Sequence, residues 1–138
     1  MDKNIKIIPR WWRLVPFLGA DIATTIYPNI FLPIDVYENI KSESPGVREQ
    51  SILLHEKVHI RRQRELGPLI WNLKYVFLRS FRLNEELVAI KEQMQYLKTN
   101  NQSYDCENKA KQLASSTYLW VTSYEKGLDS LSTLWQSI

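Results

Sequence analysis

Two periodicities divide the chain. Up to about residue 43, apolar residues fall in short β-branched runs bounded by proline or polar residues, Ile5-Lys6-Ile7-Ile8 and Ile22-Ala-Thr-Thr-Ile-Tyr27, which is the pattern of strands. Tyr27-Pro28-Asn29 reads as a turn into Ile30-Phe31-Leu32, so residues 22–32 predict a hairpin. Pro33 confines its last segment to a strand end or a sheet edge. Residues 35–40 fit a short helix and an extended connection equally well.

From Ser44 onward the spacing is helical. Ser44-Pro45 supplies an N-cap and a first-turn proline, and Gly67-Pro68 supplies a stop. The helix they bracket, 45–66, is about 33 Å long at 1.5 Å per residue. A second helix, from Pro68 to about Arg79, is apolar nearly all round, which implies burial or an interaction surface. A third, capped by Asn84, reaches about Lys98. A fourth is expected from Ser103 to Lys126, with Ala110, Leu113, Ala114, Thr117, Tyr118 and Val121 as its stripe. Gly127 is expected to break it before a short last helix carrying Leu128, Leu131 and Trp135. The expected fold class is α+β, a small N-terminal β-hairpin or sheet followed by four to five helices. One domain should span 1–138: a strand-rich part (1–43), a central helical part (44–98) and C-terminal helices (99–138).

Composition narrows the function classes. A chain of 138 residues, 44% apolar and 24% charged, suits one globular domain rather than disorder. The single cysteine, Cys106, excludes an internal disulfide framework and a cysteine-built zinc ribbon. Four unclustered glycines disfavour a phosphate-cradling loop. The net charge of +3 is short of a nucleic-acid binder's basic stripe, so no nucleic-acid partner is expected. Arg10-Trp-Trp-Arg13 could still stack a base between aromatics. Pro9, Arg10, Arg13 and Pro16 interrupt the N-terminal apolar stretch, so neither a signal peptide nor a transmembrane segment is expected. The default location is then cytoplasmic and reducing, with virion association as the alternative. Five tryptophans, at 11, 12, 71, 120 and 135, are either core or an exposed binding patch.

The chemistry concentrates in one window. The chain has two histidines, and both lie in His55-Glu56-Lys57-Val58-His59, an HExxH sequence inside the 45–66 helix. Residues four apart share a helix face, so both imidazoles can reach one ion, and Zn²⁺ suits them. Glu56 stands beside that ion, where a carboxylate can act as general base. Without a third histidine, a carboxylate must complete the ligand set. Glu86 shares its face with Ala89, Ile90, Met94 and Leu97, the apolar stripe of its helix, and a lone carboxylate there needs a partner. Glu85, the alternative third ligand, falls on a mixed face with Val88 and Glu92 and reads as more exposed.

These residues resemble a minimal gluzincin, the zinc metallopeptidases with HExxH on one helix and glutamate on the next. Glu86-Leu-Val-Ala89 is similar to the E-x-x-A core of the CAAX-prenyl-protease-like clan, although Ile90 stands where the longer form of that motif has aspartate. The stretch from Ile22 through Leu97, with Arg62-Gln63 and Gln93, resembles the compact core of small bacterial and phage-encoded members. The resemblance implies a zincin-like core and a zinc-dependent peptidase acting on a peptide or protein substrate. It further implies that Ile30-Phe31-Leu32 is the sheet edge along which an extended peptide binds. An oxyanion-stabilising group could come from Tyr75, Arg82, Tyr96 or Tyr124. The competing expectation is a catalytically inactive zincin-like scaffold that uses its aromatic surface for protein interaction or phage assembly.

Overall fold

A computed structural model describes residues 2–15 and 21–138. Three strands, β1 (Ile5–Ile7), β2 (Thr24–Ile26) and β3 (Asn29–Leu32), form a sheet in the order β1-β3-β2. The predicted hairpin is β2–β3, antiparallel with Thr25 opposite Ile30. β1 adds in parallel on the other side, with Ile5 opposite Ile30 and Ile7 opposite Leu32. The expectation that Ile30-Phe31-Leu32 is an edge is therefore corrected. β1 occupies its second flank, β3 is central, and the exposed edge beside the helices belongs to β2.

Six helices follow: α1 (Ile34–Lys41), α2 (Val47–Leu66), α3 (Pro68–Phe77), α4 (Arg79–Thr99), α5 (Cys106–Leu113) and α6 (Tyr124–Ser137). The expected four to five helices become six because the undecided 35–40 segment is helical, while the two C-terminal helices have other bounds than expected. α2 starts at Val47, two residues past Pro45, because Asn39 Oδ1 accepts the Gly46 N–H at 2.8 Å and holds Gly46 extended. It ends at Gly67, whose φ of 96° closes the helix as expected and suits a residue without Cβ.

Two boundaries were set by arginines rather than by periodicity. α4 begins at Arg79, five residues before the Asn84 cap the sequence suggested. The reason is Arg82, which donates to the α3 carbonyls of Tyr75 (2.6 Å) and Val76 (3.1 Å) and so draws the first turn of α4 against the end of α3. The long helix expected over 103–126 stops at Leu113. Ser115 Oγ donates to the Gln112 carbonyl at 2.6 Å, and Arg79 and Arg82 take the carbonyls of residues 118 to 121. Gly127 lies inside α6 and does not break it. A Cβ there would meet Thr122 Cγ2 at 3.1 Å and the Ala110 backbone at 3.7 Å, so this glycine lets α5 and α6 approach.

The apolar residues sort into two cores. Ile90, Met94, Ala110, Leu113, Val121 and Leu131 pack α4 onto α5 and α6. Ile5, Ile30, Leu32 and Val36 pack the sheet onto α1, with Ile52, Leu53 and Ile60 of α2 laid against them. α2 and α4 run together between these cores, so what faces inward from both is removed from water on each side. The zone they share holds the buried polar residues Ser51, His55, Glu56, His59, Gln63, Glu85 and Glu86.

Candidate metal centre

α2 contributes both histidines from one face, one turn apart, and α4 presents Glu86 opposite them. His55 Nε2 lies 3.2 Å from His59 Nε2 and 3.3 Å from Glu86 Oε2, and His59 Nε2 lies 3.3 Å from Glu86 Oε1. All three residues are buried. The triangle they make could hold a metal ion. Glu86 is where the apolar stripe of its helix placed it, between Arg82 and Ala89 on the inward side of α4.

Glu85 is corrected in environment and separated from this cluster. It is 1% exposed rather than solvent-facing, and its carboxylate takes a bidentate pair of hydrogen bonds from Arg62, at 2.8 and 2.7 Å. Arg62 is thereby tied to a buried partner on α4. Its neighbour Gln63 is fully buried, and Arg61 pairs with Glu92 at 2.6 Å.

Orientation of the ligand atoms comes from a polar relay. His55 Nδ1 stands 3.1 Å from Gln93 Oε1, Gln93 Nε2 donates to Ser51 Oγ, and Ser51 Oγ donates to the Arg48 carbonyl. An amide oxygen can only accept, so Nδ1 carries the proton and the Nε2 lone pair turns to the cluster. Gln93 thus fixes the tautomer and orientation of the His55 ring. Ile90 is fully buried in the α4–α5–α6 core.

Electrostatics inside the triangle follow from burial and from Glu86. Burial lowers the pKa of His55. Burial opposes protonation of His59 too, but the Glu86 carboxylate outweighs it and raises that pKa. Burial likewise works against the Glu86 charge, yet the two imidazoles hold its carboxyl well below the usual range. An ionised carboxylate and two converging ring nitrogens therefore share a site removed from water. Although 3.3 Å from His55 Nε2, Glu86 Oε2 is not aligned for a hydrogen bond and, like His59 Nδ1, has no partner among the described residues. A cation accepting lone pairs from all three residues fits this arrangement, because it would satisfy the orphaned oxygen and neutralise the carboxylate.

Glu56 lies beside the triangle. Its Oε2 accepts from Thr25 Oγ1 of β2 at 2.6 Å. Two clefts, of about 390 and 270 Å³, open onto it, and His55 and Glu56 line both. The smaller is walled by Thr24 and Thr25 on one side and by Trp71, Tyr75 and Val76 of α3 on the other.

Of the four oxyanion candidates, Tyr75 alone reaches the cluster, donating from its hydroxyl to Glu86 Oε1 at 2.7 Å. Arg82 is spent on backbone carbonyls, Tyr96 donates to Gln50, and Tyr124 packs against the C-terminal core. Sequence reasoning missed Thr25, Lys109 and Tyr118. The Lys109 ammonium donates to the Tyr118 hydroxyl at 2.7 Å, with Lys109 on the larger cleft and Tyr118 on the smaller. Burial lowers the pKa of Lys109 and raises that of Tyr118. No local sequence signal marks these three, since each is brought in from another part of the chain.

Comparison with known families, curated proteins and solved structures returned no match. The geometry of the cluster therefore carries the functional argument.

Proposed function

We propose that this chain is a zinc-dependent peptidase whose metal is held by His55, His59 and Glu86 and whose general base is Glu56. The carrying observation is the convergence of the donors: the two Nε2 atoms lie 3.2 Å apart, and each lies 3.3 Å from one of the two Glu86 oxygens. Donors about 2.0–2.1 Å from one tetrahedral ion stand about 3.3 Å apart, which is close to the spacing of the two Nε2 atoms from each other and of each from a Glu86 oxygen. Two histidines and one glutamate with an open position are the donor set of catalytic rather than structural zinc. When bound, Zn²⁺ supplies Lewis-acid chemistry, acidifying water and polarising a carbonyl.

The remaining work falls to the chain's own side chains. The Glu56 carboxylate is fixed through Oε2 by Thr25, which leaves Oε1 to take a proton from the attacking water and return it to the leaving amine. Tyr75 positions Glu86 through its hydroxyl. An extended peptide would lie along the unpaired edge of β2, where Thr24 and Thr25 wall the smaller cleft. The exposed apolar residues of α3 favour the second reading, a scaffold kept for interaction without catalysis.

Metal content tests the peptidase reading at its first step. Chain purified after chelation and incubated with Zn²⁺ is expected to retain about one zinc per molecule, as catalytic sites of this composition do. His55→Ala and Glu86→Ala should abolish that retention and Glu85→Leu should not. A wild-type chain that binds no zinc sinks the peptidase reading.

Gln93 gives a graded test of the same site. Gln93→Leu removes the acceptor that orients His55, and partners of metal-bound histidines are typically worth 10–100-fold in metal affinity. Competition with a chromogenic chelator should show a loss of about that size. An unchanged affinity would show that Gln93 does not orient the ligand.

A further inference from the structure

α3 is covered on one face only. Trp71 turns inward, stacking on Tyr75 with ring centroids 4.7 Å apart. The rest of its apolar surface is open: Leu69 is 73% exposed, Phe77 76%, and Ile70, Leu73 and Val76 each 50%. These positions follow helical spacing, so they form one ridge along the outer side of the helix. A ridge of this kind on a single domain marks an interaction site rather than scatter.

A sixth apolar residue is displayed beside it. Trp120 is 55% exposed, and Arg79, the first residue of α4, donates to its carbonyl at 2.6 Å. Leu119 and Trp120 both have left-handed backbones, with φ of 54° and 47°, a conformation costly for residues with side chains. Arg79 and Arg82 hold the turn through the carbonyls of residues 118 to 121. The fold thus keeps an unfavourable turn that leaves a tryptophan in solvent at the end of the apolar ridge.

The charges at the border choose among occupants. Arg64, Lys74 and Arg79 are exposed, and none has a carboxylate within 4.0 Å among the described residues. Against them stands Glu65, so the border is cationic. In a two-fold dimer through this face, both copies would bring the same unbalanced cations to one interface, an unfavourable juxtaposition. An anionic lipid surface accepts all of the features at once. Leucine, phenylalanine and tryptophan enter the headgroup boundary, and Arg64 and Lys74 meet lipid phosphates. No helix among the described residues is long and apolar enough to cross a membrane, so the contact would lie in the interface plane.

We infer that the outer face of α3, together with Trp120, docks the protein on the surface of an anionic lipid bilayer. Val76 and Leu119 line the smaller cleft as well, so docking sets the mouth of that cleft at the lipid boundary. The inference does not depend on bound metal or on peptidase activity.

Co-sedimentation with vesicles of equimolar phosphatidylcholine and phosphatidylglycerol tests it. The wild-type chain should pellet with these vesicles, less with pure phosphatidylcholine and less at high salt. Leu69→Glu/Phe77→Glu should weaken binding at least tenfold, since each residue stops contributing apolar burial. Both positions are largely exposed, so the melting temperature should be unchanged. Should that variant fail to fold, Arg64→Gln/Lys74→Gln is the second test and should erase the preference for anionic vesicles. The inference is overturned if the wild type stays in the supernatant, if the foldable variants bind like wild type, or if binding ignores lipid charge. A wild type that does not pellet but is dimeric by light scattering, and monomeric once Leu69 and Phe77 are replaced, would assign the face to a second copy instead.

Discussion

Glu56→Gln should keep the fold and the zinc and lose peptide hydrolysis by about 10²- to 10⁴-fold, the usual worth of a positioned general base. The substitution is nearly isosteric, and the glutamine oxygen can still accept the Thr25 hydroxyl that holds Glu56 Oε2 at 2.6 Å. What disappears is the second oxygen, replaced by an NH₂ group that can donate but cannot accept a proton. Glu56 is not one of the three residues that could hold the ion, so the metal-binding donors remain intact. Cleavage of a quenched-fluorescent peptide library by zinc-loaded chain, with zinc content measured on the same samples, checks both halves. Retained hydrolysis in the variant would remove Glu56 from the proton path. Loss of zinc along with activity would mean that Glu56 supports the ligands rather than the proton. A zinc-loaded wild type that cleaves nothing in the library is the outcome expected of the non-catalytic scaffold.

How much of this was legible in the sequence depends on where each determinant sits. α2 could be read to within two residues of its start because its punctuation is local, Ser44-Pro45 before it and Gly67-Pro68 after it. The same holds for the paired histidines and for Glu86, whose apolar helix mates fix which way it points. Glu85 was misplaced because its burial depends on Arg62, on another helix and invisible to local spacing. The C-terminal helices were misdivided for a related reason. The stripe from Ala110 to Val121 keeps helical spacing, but the carbonyls that a continued helix would use are taken by Arg79 and Arg82. Gly127 carries the opposite lesson, since its absent Cβ serves a helix contact rather than a break. Thr25 is silent in sequence. It matters because the hairpin lays β2 across α2, where its hydroxyl meets Glu56.

The same contrast between neighbouring glutamates gives the largest expected stability effect. Arg62→Met should destabilise the fold by about 3 kcal/mol, the low end for stripping one partner from a buried charge. The low end applies because the Arg62 side chain is 35% exposed, so water already screens the guanidinium, while the Glu85 side chain at 1% has no such access. Bidentate contacts at 2.7 and 2.8 Å are the only hydrogen bonds that carboxylate makes among the described residues, so the variant leaves it buried and unpaired. In a domain of this size the cost should appear as a fall of roughly 10 °C in melting temperature. Replacing both partners, Arg62→Met/Glu85→Leu, should recover most of it, because no charge is then stranded. Zinc supplies the internal control. A ligand that binds only the folded state raises the melting temperature by mass action, so added Zn²⁺ should lift wild type, Arg62→Met and the double variant alike and leave Glu86→Ala unmoved. If zinc fails to stabilise Arg62→Met, the two glutamates are coupled and the ion pair belongs to the metal centre. If zinc stabilises all three and Glu86→Ala stays unresponsive, one glutamate clamps α2 to α4 and the next holds the ion.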